Sequence, residues 1–247
     1  MQVGFRLTAT RYLRQIPTAD AIYVGSFQTA QCHLINSIRH NQLVLLDDGC
    51  GIHAVLNQIK NSSNHTPWSH RLTFRKGNLP EPSSLKVFSC FDVDWPHSLL
   101  TRNDYRCLRR RLQEEIAVRS DEAVFICQPI ANEIGFSADY DYLRSMVLAQ
   151  TKCKSLRFIN HPKDPNPLQE GDTLPYPIEL FGLQEGYLPK YFVTFCSSAI
   201  QTLKIIYNRP SLCLEIPSLN IPMNVQDHLR TIYRDYRSNG LHVIPYQ

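Results

Sequence analysis

The feature that most constrains the fold is a short apolar run, residues 44–46, that leads directly into Asp47, Asp48 and Gly49. A continuous apolar run of this length is typical of a parallel strand covered on both faces. Ligands of open α/β sheets bind at the carboxyl ends of the strands, and a glycine lets the chain turn there. We therefore predict that the two aspartates lie at a ligand-binding edge, where one is a candidate general base. The alternative is that one of them caps the helix predicted to begin near Ile52.

Strands and helices alternate along the chain, which predicts an α/β protein with parallel sheets. The predicted strands cover residues 21–25, 44–46, 85–91, 123–127, 156–159, 178–181, 191–196 and 211–216. The predicted helices cover residues 52–59, 105–118, 140–150, 199–206 and 225–237, and the polar segment 61–84 is interpreted as a surface excursion. We predict two Rossmann-like domains, residues 1–119 and 120–247, which face each other across a cleft.

Polar residues also follow two predicted strands in the second half of the chain. Gln128 ends the strand 123–127, whereas Asn160, His161 and Pro162 end the strand 156–159. The proline restricts His161 to an extended backbone, which limits where the imidazole can point. A lone histidine at a strand end also fits a structural or merely exposed role.

Ser197 and Ser198 lie between a predicted strand and the helix predicted at 199–206. Hydroxyls and backbone N–H groups at the positive end of a helix bind anions, although serine is also a good N-cap. Glu179 fits a hydrogen bond to sugar hydroxyls or an ordinary surface position. A carboxylate of the first domain that faces the histidine and serines of the second suits group transfer from a nucleotide donor.

Composition excludes several other classes of function. A net charge of +4 suits an acidic ligand but is too small to indicate nucleic acid, and the arginines at 109–111 fit a solvated helix face. The eight cysteines show no paired spacing, so no metal site is predicted. No P-loop or GxGxxG motif is present, which argues against ATPases and dinucleotide enzymes. Cysteines inside apolar runs favour a reducing compartment, and no apolar run of about twenty residues or leader is visible, so the sequence predicts a cytoplasmic protein. Peripheral contact at the inner face of the membrane stays open.

In the order of five short motifs the chain resembles the bacterial sialyltransferases of the two-Rossmann, or GT-B, type. These enzymes share a D/E-D/E-G motif, an HP motif and a serine pair, and the similarity is greatest to lipooligosaccharide sialyltransferases and capsular polysialyltransferases. The resemblance covers about residues 20 to 210 of the chain. The five motifs are Asp47-Asp48-Gly49, Gln128-Pro129, His161-Pro162, Pro177-Ile178-Glu179 and Ser197-Ser198.

The resemblance implies a metal-independent, inverting transfer of sialic acid from CMP-sialic acid to a glycan hydroxyl, without a cofactor. Its partners would be the nucleotide-sugar donor and the glycan acceptor. Asp47 would be the general base, with Asp48 beside it and Gly49 at the turn. His161 would contact the CMP phosphate and assist its departure.

The same resemblance implies a donor-binding set in the second domain. Ser197 and Ser198 would bind the phosphate and Glu179 would hold the ribose. The cleft would be lined by Gln128, Asn160 and Pro162.

The chain departs from this family at its amino terminus. Family members carry additional strands and loops before the segment that corresponds to residues 21–25, so we expect an incomplete first domain. Three alternatives stay open: a transferase that uses CMP-Kdo, a catalytically silent nucleotide- or glycan-binding relative, and, ranked last, a nucleic-acid binder.

Overall fold

The structure is a computed structural model that describes residues 18–27, 31, 35, 37–47, 49, 51–62, 83–112, 116–218 and 221–246. The chain divides into two compact units, Met1–Asn103 and Asp104–Gln247. Each unit contains a sheet whose strands all pair in parallel. The predicted α/β class with two parallel sheets is therefore confirmed, and each unit is Rossmann-like.

The first unit contains a sheet with the strand order β1-β2-β3-β4 within its described residues. These strands are β1 (Ala19–Val24), β2 (His40–Leu46), β3 (Leu85–Ser89) and β4 (Leu100–Arg102). Helix α1 (Gly51–Ser62) connects β2 to β3 and buries Ile52, Leu56 and Ile59, whose helical spacing predicted this inner face. A short 3₁₀ helix, His97–Leu99, precedes β4.

The second unit contains a sheet with the strand order β6-β5-β7-β8-β9. The strands are β5 (Ala117–Ile126), β6 (Ser155–Ile159), β7 (Tyr187–Thr194), β8 (Ser211–Glu215) and β9 (His242–Pro245). The helices are α2 (Arg106–Arg111), α3 (Ile130–Ile134), α4 (Tyr140–Thr151), α5 (Phe181–Glu185), α6 (Ala199–Tyr207) and α7 (Met223–Ser238). None of the described helices of either unit is long and apolar enough to cross a membrane.

Strand β5 is an inner strand of the second sheet, since it pairs with β6 on one side and with β7 on the other. Its inner half is fully buried, with Ala123, Val124 and Phe125 at most 1% exposed. A strand buried on both faces reads as a continuous apolar run, which is why the sequence predicted it. Cys127 continues this core, and burial raises the pKa of its thiol to about 12.

Several predicted elements differ from the structure. The predicted strand at 178–181 is wrong, because Ile178–Leu180 forms a 3₁₀ helix that continues into α5. The predicted helix at 105–118 is too long, since α2 ends at Arg111 and residues 117 onward belong to β5. The predicted domain boundary at 119 and 120 therefore falls inside that strand. Strands β4 and β9 were missed because their short sequences have no clear apolar alternation.

A charged network fastens the segment that follows β6 to the sheet of the second unit. The Arg157 guanidinium lies 2.7 Å from Asp172 Oδ2, 2.8 Å from Glu185 Oε2 and 3.1 Å from the Tyr187 hydroxyl. The Tyr176 hydroxyl donates a further hydrogen bond to Glu185. The bonds from Arg157 and then from Tyr176 hold the pKa of Glu185 below its ordinary 4.5.

We expect Glu185→Gln to lower the free energy of unfolding at pH 7 by about 1–2 kcal/mol, because it weakens a charge-assisted hydrogen bond that is mostly shielded from water. A carboxyl whose pKa is lower in the folded state stabilises the fold above its unfolded pKa, and this effect is lost as the pH falls through the folded pKa. Urea unfolding should therefore show the difference between wild type and variant shrinking as the pH falls below 4.5.

The matched control is Asp227→Asn, which breaks the exposed ion pair with Arg230. Exposed pairs contribute little, so this variant should match wild type at every pH. A Glu185→Gln deficit that stays constant down to pH 3 would contradict the role given to the ionised carboxylate.

Candidate functional site

The chain order of the second sheet creates a switch point between β5 and β7. The connection from β5 leads to β6 on one side, whereas the next connection passes to β7 on the other side. Loops that leave neighbouring strands in opposite directions open a crevice at the carboxyl edge, where open α/β sheets bind ligands. The loops after β5, β6 and β7 carry Gln128, His161 and the serine pair to this edge.

The serine pair begins α6, and neither hydroxyl has a hydrogen-bond partner among the described residues. Ser198 occupies the N-cap position, but its side chain makes no capping hydrogen bond. The carbonyls of Ser197 and Ser198 accept from Ile200 N and Gln201 N, each at 3.1 Å. The structure therefore does not support the alternative in which serine is present to cap the helix, and the hydroxyls remain available beside the positive end of a nine-residue helix.

His161 is half-buried and has a defined tautomer. The backbone N–H of Lys163 donates to His161 Nδ1 at 3.2 Å. Because Nδ1 accepts this bond, the neutral ring carries its proton on Nε2. Nε2–H is therefore the ring group that can donate a hydrogen bond to an anion. Pro162, the next residue, is exposed.

Asn160 organises the loop after β6 with its side chain. It is 5% exposed; its Nδ2 donates to the carbonyls of Leu168 and Gly171 at 2.9 and 2.8 Å, and its Oδ1 accepts from Leu168 N at 3.0 Å. A Cβ on Gly171 would lie 2.8 Å from the amide, so this position requires glycine. Asn160, predicted to line the cleft, is thus committed to holding the loop that carries His161.

Gln128 likewise contacts a neighbouring loop. Its Oε1 accepts a hydrogen bond from the backbone N–H of Cys196 at 2.9 Å, immediately before the serine pair. Gln128 therefore joins the loop after β5 to the loop after β7 across the switch point.

Glu179 lies against α6 rather than at a strand end. Its Oε1 is 3.0 Å from the Thr202 hydroxyl, and its carbonyl accepts from the Tyr207 hydroxyl at 2.7 Å. Thr202 is one helical turn beyond Ser198, so the two contacts place Glu179 beside the helix that begins with the serines. Only Oε1 of the carboxylate has a partner among the described residues, which leaves Oε2 as an acceptor.

A cavity of about 260 Å³ opens at the same carboxyl edge, between the ends of β8 and β9 and the start of α7. Its walls include Ile216, Tyr233 and Tyr246. The Tyr246 ring packs against Phe195, with ring centroids 5.4 Å apart, and Phe195 is two residues before Ser197. One wall residue of the cavity therefore contacts the segment that leads into the serine pair.

In the first unit Asp47 lies at the carboxyl edge of its own sheet, as predicted. Its carboxylate accepts from the backbone N–H of Cys90 at 2.6 Å, just after β3. This bond uses Oδ2, and Oδ1 has no partner among the described residues. Gly49 has a φ of 67°, so the predicted need for glycine at the turn is confirmed, whereas Asp48 lies outside the described residues.

His53, near the start of α1, is a side chain that the sequence interpretation did not single out. Its ring contacts Phe91 edge-on at 6.2 Å, and its Nε2 is buried without a partner among the described residues. Phe91 follows Cys90, so His53 and Asp47 contact adjacent residues of one loop. The signal in the sequence was a histidine in the first turn of a helix, directly after a loop at the carboxyl edge of the sheet.

The structure thus places Gln128, His161 and the serine pair after the strands of the second sheet, Glu179 beside α6, and Asp47 at the carboxyl edge of the first sheet. Of the described His, Cys, Asp and Glu side chains, no group of three is arranged to hold a metal ion. No family model matches the chain, and no curated protein is significantly similar to it in sequence. The resemblance to sialyltransferases stays a prediction that rests on the five motifs.

We expect the ring nitrogens of His161 to show a single tautomer in solution, because the Lys163 amide occupies Nδ1. Long-range ¹H–¹⁵N correlation spectra above the titration of the ring should place the proton on Nε2. Exposed His242 serves as the control and should show averaged tautomers. A proton on Nδ1 of His161 would disprove the arrangement.

We expect Asn160→Ala to lower the free energy of unfolding by about 1–3 kcal/mol, since it removes the partners of one N–H and two carbonyls that are only partly exposed. Asn166→Ala, an exposed position in the same loop, should cost little. Chemical denaturation of both variants compares them directly. Equal stabilities would show that Asn160 does not organise the loop.

Proposed function

We propose that the chain is a glycosyltransferase that moves sialic acid from CMP-sialic acid to a glycan hydroxyl without a metal ion. The observation that carries the proposal is a set of three hydrogen-bond donors that follow the strands of one sheet and have no partner among the described residues. They are the Ser197 and Ser198 hydroxyls and Nε2–H of His161. Groups of this kind bind a phosphate and stabilise the charge that develops on it as it departs.

Each step of the proposed transfer is assigned to a residue of the chain. The acceptor hydroxyl attacks the anomeric carbon, and its proton passes to Asp47, whose Oδ1 is available while Cys90 N holds Oδ2. The bond between the anomeric carbon and the phosphate oxygen breaks, and its electron pair leaves with CMP. The serines and His161 receive the phosphate, while Glu179 Oε2 accepts from the ribose hydroxyls. A single displacement of this kind inverts the anomeric centre.

Ligand-observed NMR with CMP, UDP and GDP tests the donor. We expect a preference for CMP, and we expect the double variant Ser197→Ala/Ser198→Ala to weaken CMP binding at least about tenfold because it removes two hydrogen bonds to a charged group. Ser238→Ala, an exposed serine at the far end of α7, is the matched control and should bind as wild type does. Equal binding of all three nucleotides would count decisively against the proposal.

Asp47→Asn tests the general base. Asparagine keeps an oxygen for the Cys90 amide but cannot take a proton, so we expect transfer from CMP-sialic acid to fall by about 10²–10⁴ while CMP affinity stays unchanged. The control is Asp20→Asn, at an exposed position on β1 of the same unit. Undiminished transfer in Asp47→Asn would remove Asp47 from this role.

A second candidate is a nucleotide-binding relative that does not turn over its ligand. The hydrogen bond from Cys90 N to Asp47 favours it, because this bond alone gives the carboxylate a structural role. Wild-type protein that binds CMP but neither transfers nor hydrolyses CMP-sialic acid would select this candidate.

A further inference from the structure

Gln128 extends the pairing of β5 with β7 beyond the last backbone pair, Ile126 with Thr194. The chain turns away at Pro129, and the Gln128 carbonyl is taken by Ile130 N at 2.8 Å. The side-chain Oε1 of Gln128 accepts from Cys196 N at 2.9 Å, so a side chain joins the two loops beyond the end of the backbone pairing.

The bond is anchored on both sides. Thr194 is fully buried, and its hydroxyl donates to the Ile126 carbonyl at 2.9 Å, so the two strand ends are held together directly below Gln128. On the other side Cys127 N donates to the Ile159 carbonyl at 2.8 Å, which ties the start of the Gln128 loop to β6. The backbone on either side of Gln128 is therefore held between β6 and β7, while its side chain reaches Cys196 N.

We propose that Gln128 is a positioning residue that holds the serine loop, residues 196–198, in the conformation that receives an anion. Ser197 follows Cys196 directly, so the placement of the Cys196 amide determines where the first hydroxyl lies relative to α6. The role of this loop in binding the donor phosphate rests on the proposed function, but the positioning itself does not.

Two substitutions of Gln128 separate a positioning role from direct contact with a ligand. The Oε1 of Gln128 accepts from the loop, and Nε2 has no partner among the described residues. Gln128→Glu keeps an acceptor oxygen and loses the N–H donors, whereas Gln128→Met removes both while keeping the length of the side chain. Gln150→Met, at an exposed position on α4, makes the same chemical change away from the loop.

Amide hydrogen exchange by NMR on the full chain measures the positioning without any ligand. We expect the Cys196 amide of Gln128→Met to exchange at least about tenfold faster than in wild type, with Gln128→Glu and Gln150→Met within about threefold. Melting temperatures within a few degrees of wild type confirm that Gln128→Met is folded. Unchanged exchange at Cys196 in Gln128→Met would overturn the proposal.

The same proteins are then titrated with CMP. We expect Gln128→Met to weaken CMP binding about tenfold, in step with the faster exchange of the Cys196 amide. Faster exchange with unchanged CMP affinity would overturn the link between the loop conformation and binding. If wild type shows no preference for CMP, the proposed function fails, and the exchange comparison alone decides the positioning role of Gln128.

Discussion

Parallel pairing of β5 with both β6 and β7 is the constraint on which the second unit depends. It buries the inner half of β5 completely and sends the connections on its two sides in opposite directions. The loops that follow the three strands must then end at one edge. The positions of the serine pair and of the histidine at this edge both follow from this single arrangement of strands.

Two side-chain amides give the loops at this edge their shape. Asn160 satisfies one N–H and two carbonyls of the loop that carries His161, and Gln128 satisfies the Cys196 amide before the serines. Buried backbone groups require partners, and an amide can accept and donate at once. The amides hold the two loops, while the serine hydroxyls and the imidazole Nε2 have no partner among the described residues.

The sequence predicted the fold well where burial produced a pattern. The apolar runs of β2 and β5 and the periodic face of α1 identified parallel sheets with covering helices, and Gly49 identified the turn after β2. The prediction failed where the pattern was short, as in Ile178–Leu180, because a segment of four residues with three apolar ones fits a strand or a helical turn equally well. Contacts with Thr202 and Tyr207 of α6, which are distant in sequence, settle the position of Glu179.

For the candidate site, the sequence by itself determined which polar residues follow which strands, and therefore that they reach the carboxyl edge. The strand order, the choice of Nε2 as the protonated nitrogen of His161, and the roles of Gln128 and Asn160 came only from the tertiary structure. The physical reason is that the apolar run of a buried strand and the polar residues that follow it are neighbours in the sequence. A hydrogen-bond partner such as Cys196 N, 68 residues from Gln128, is determined only when the sheet has assembled.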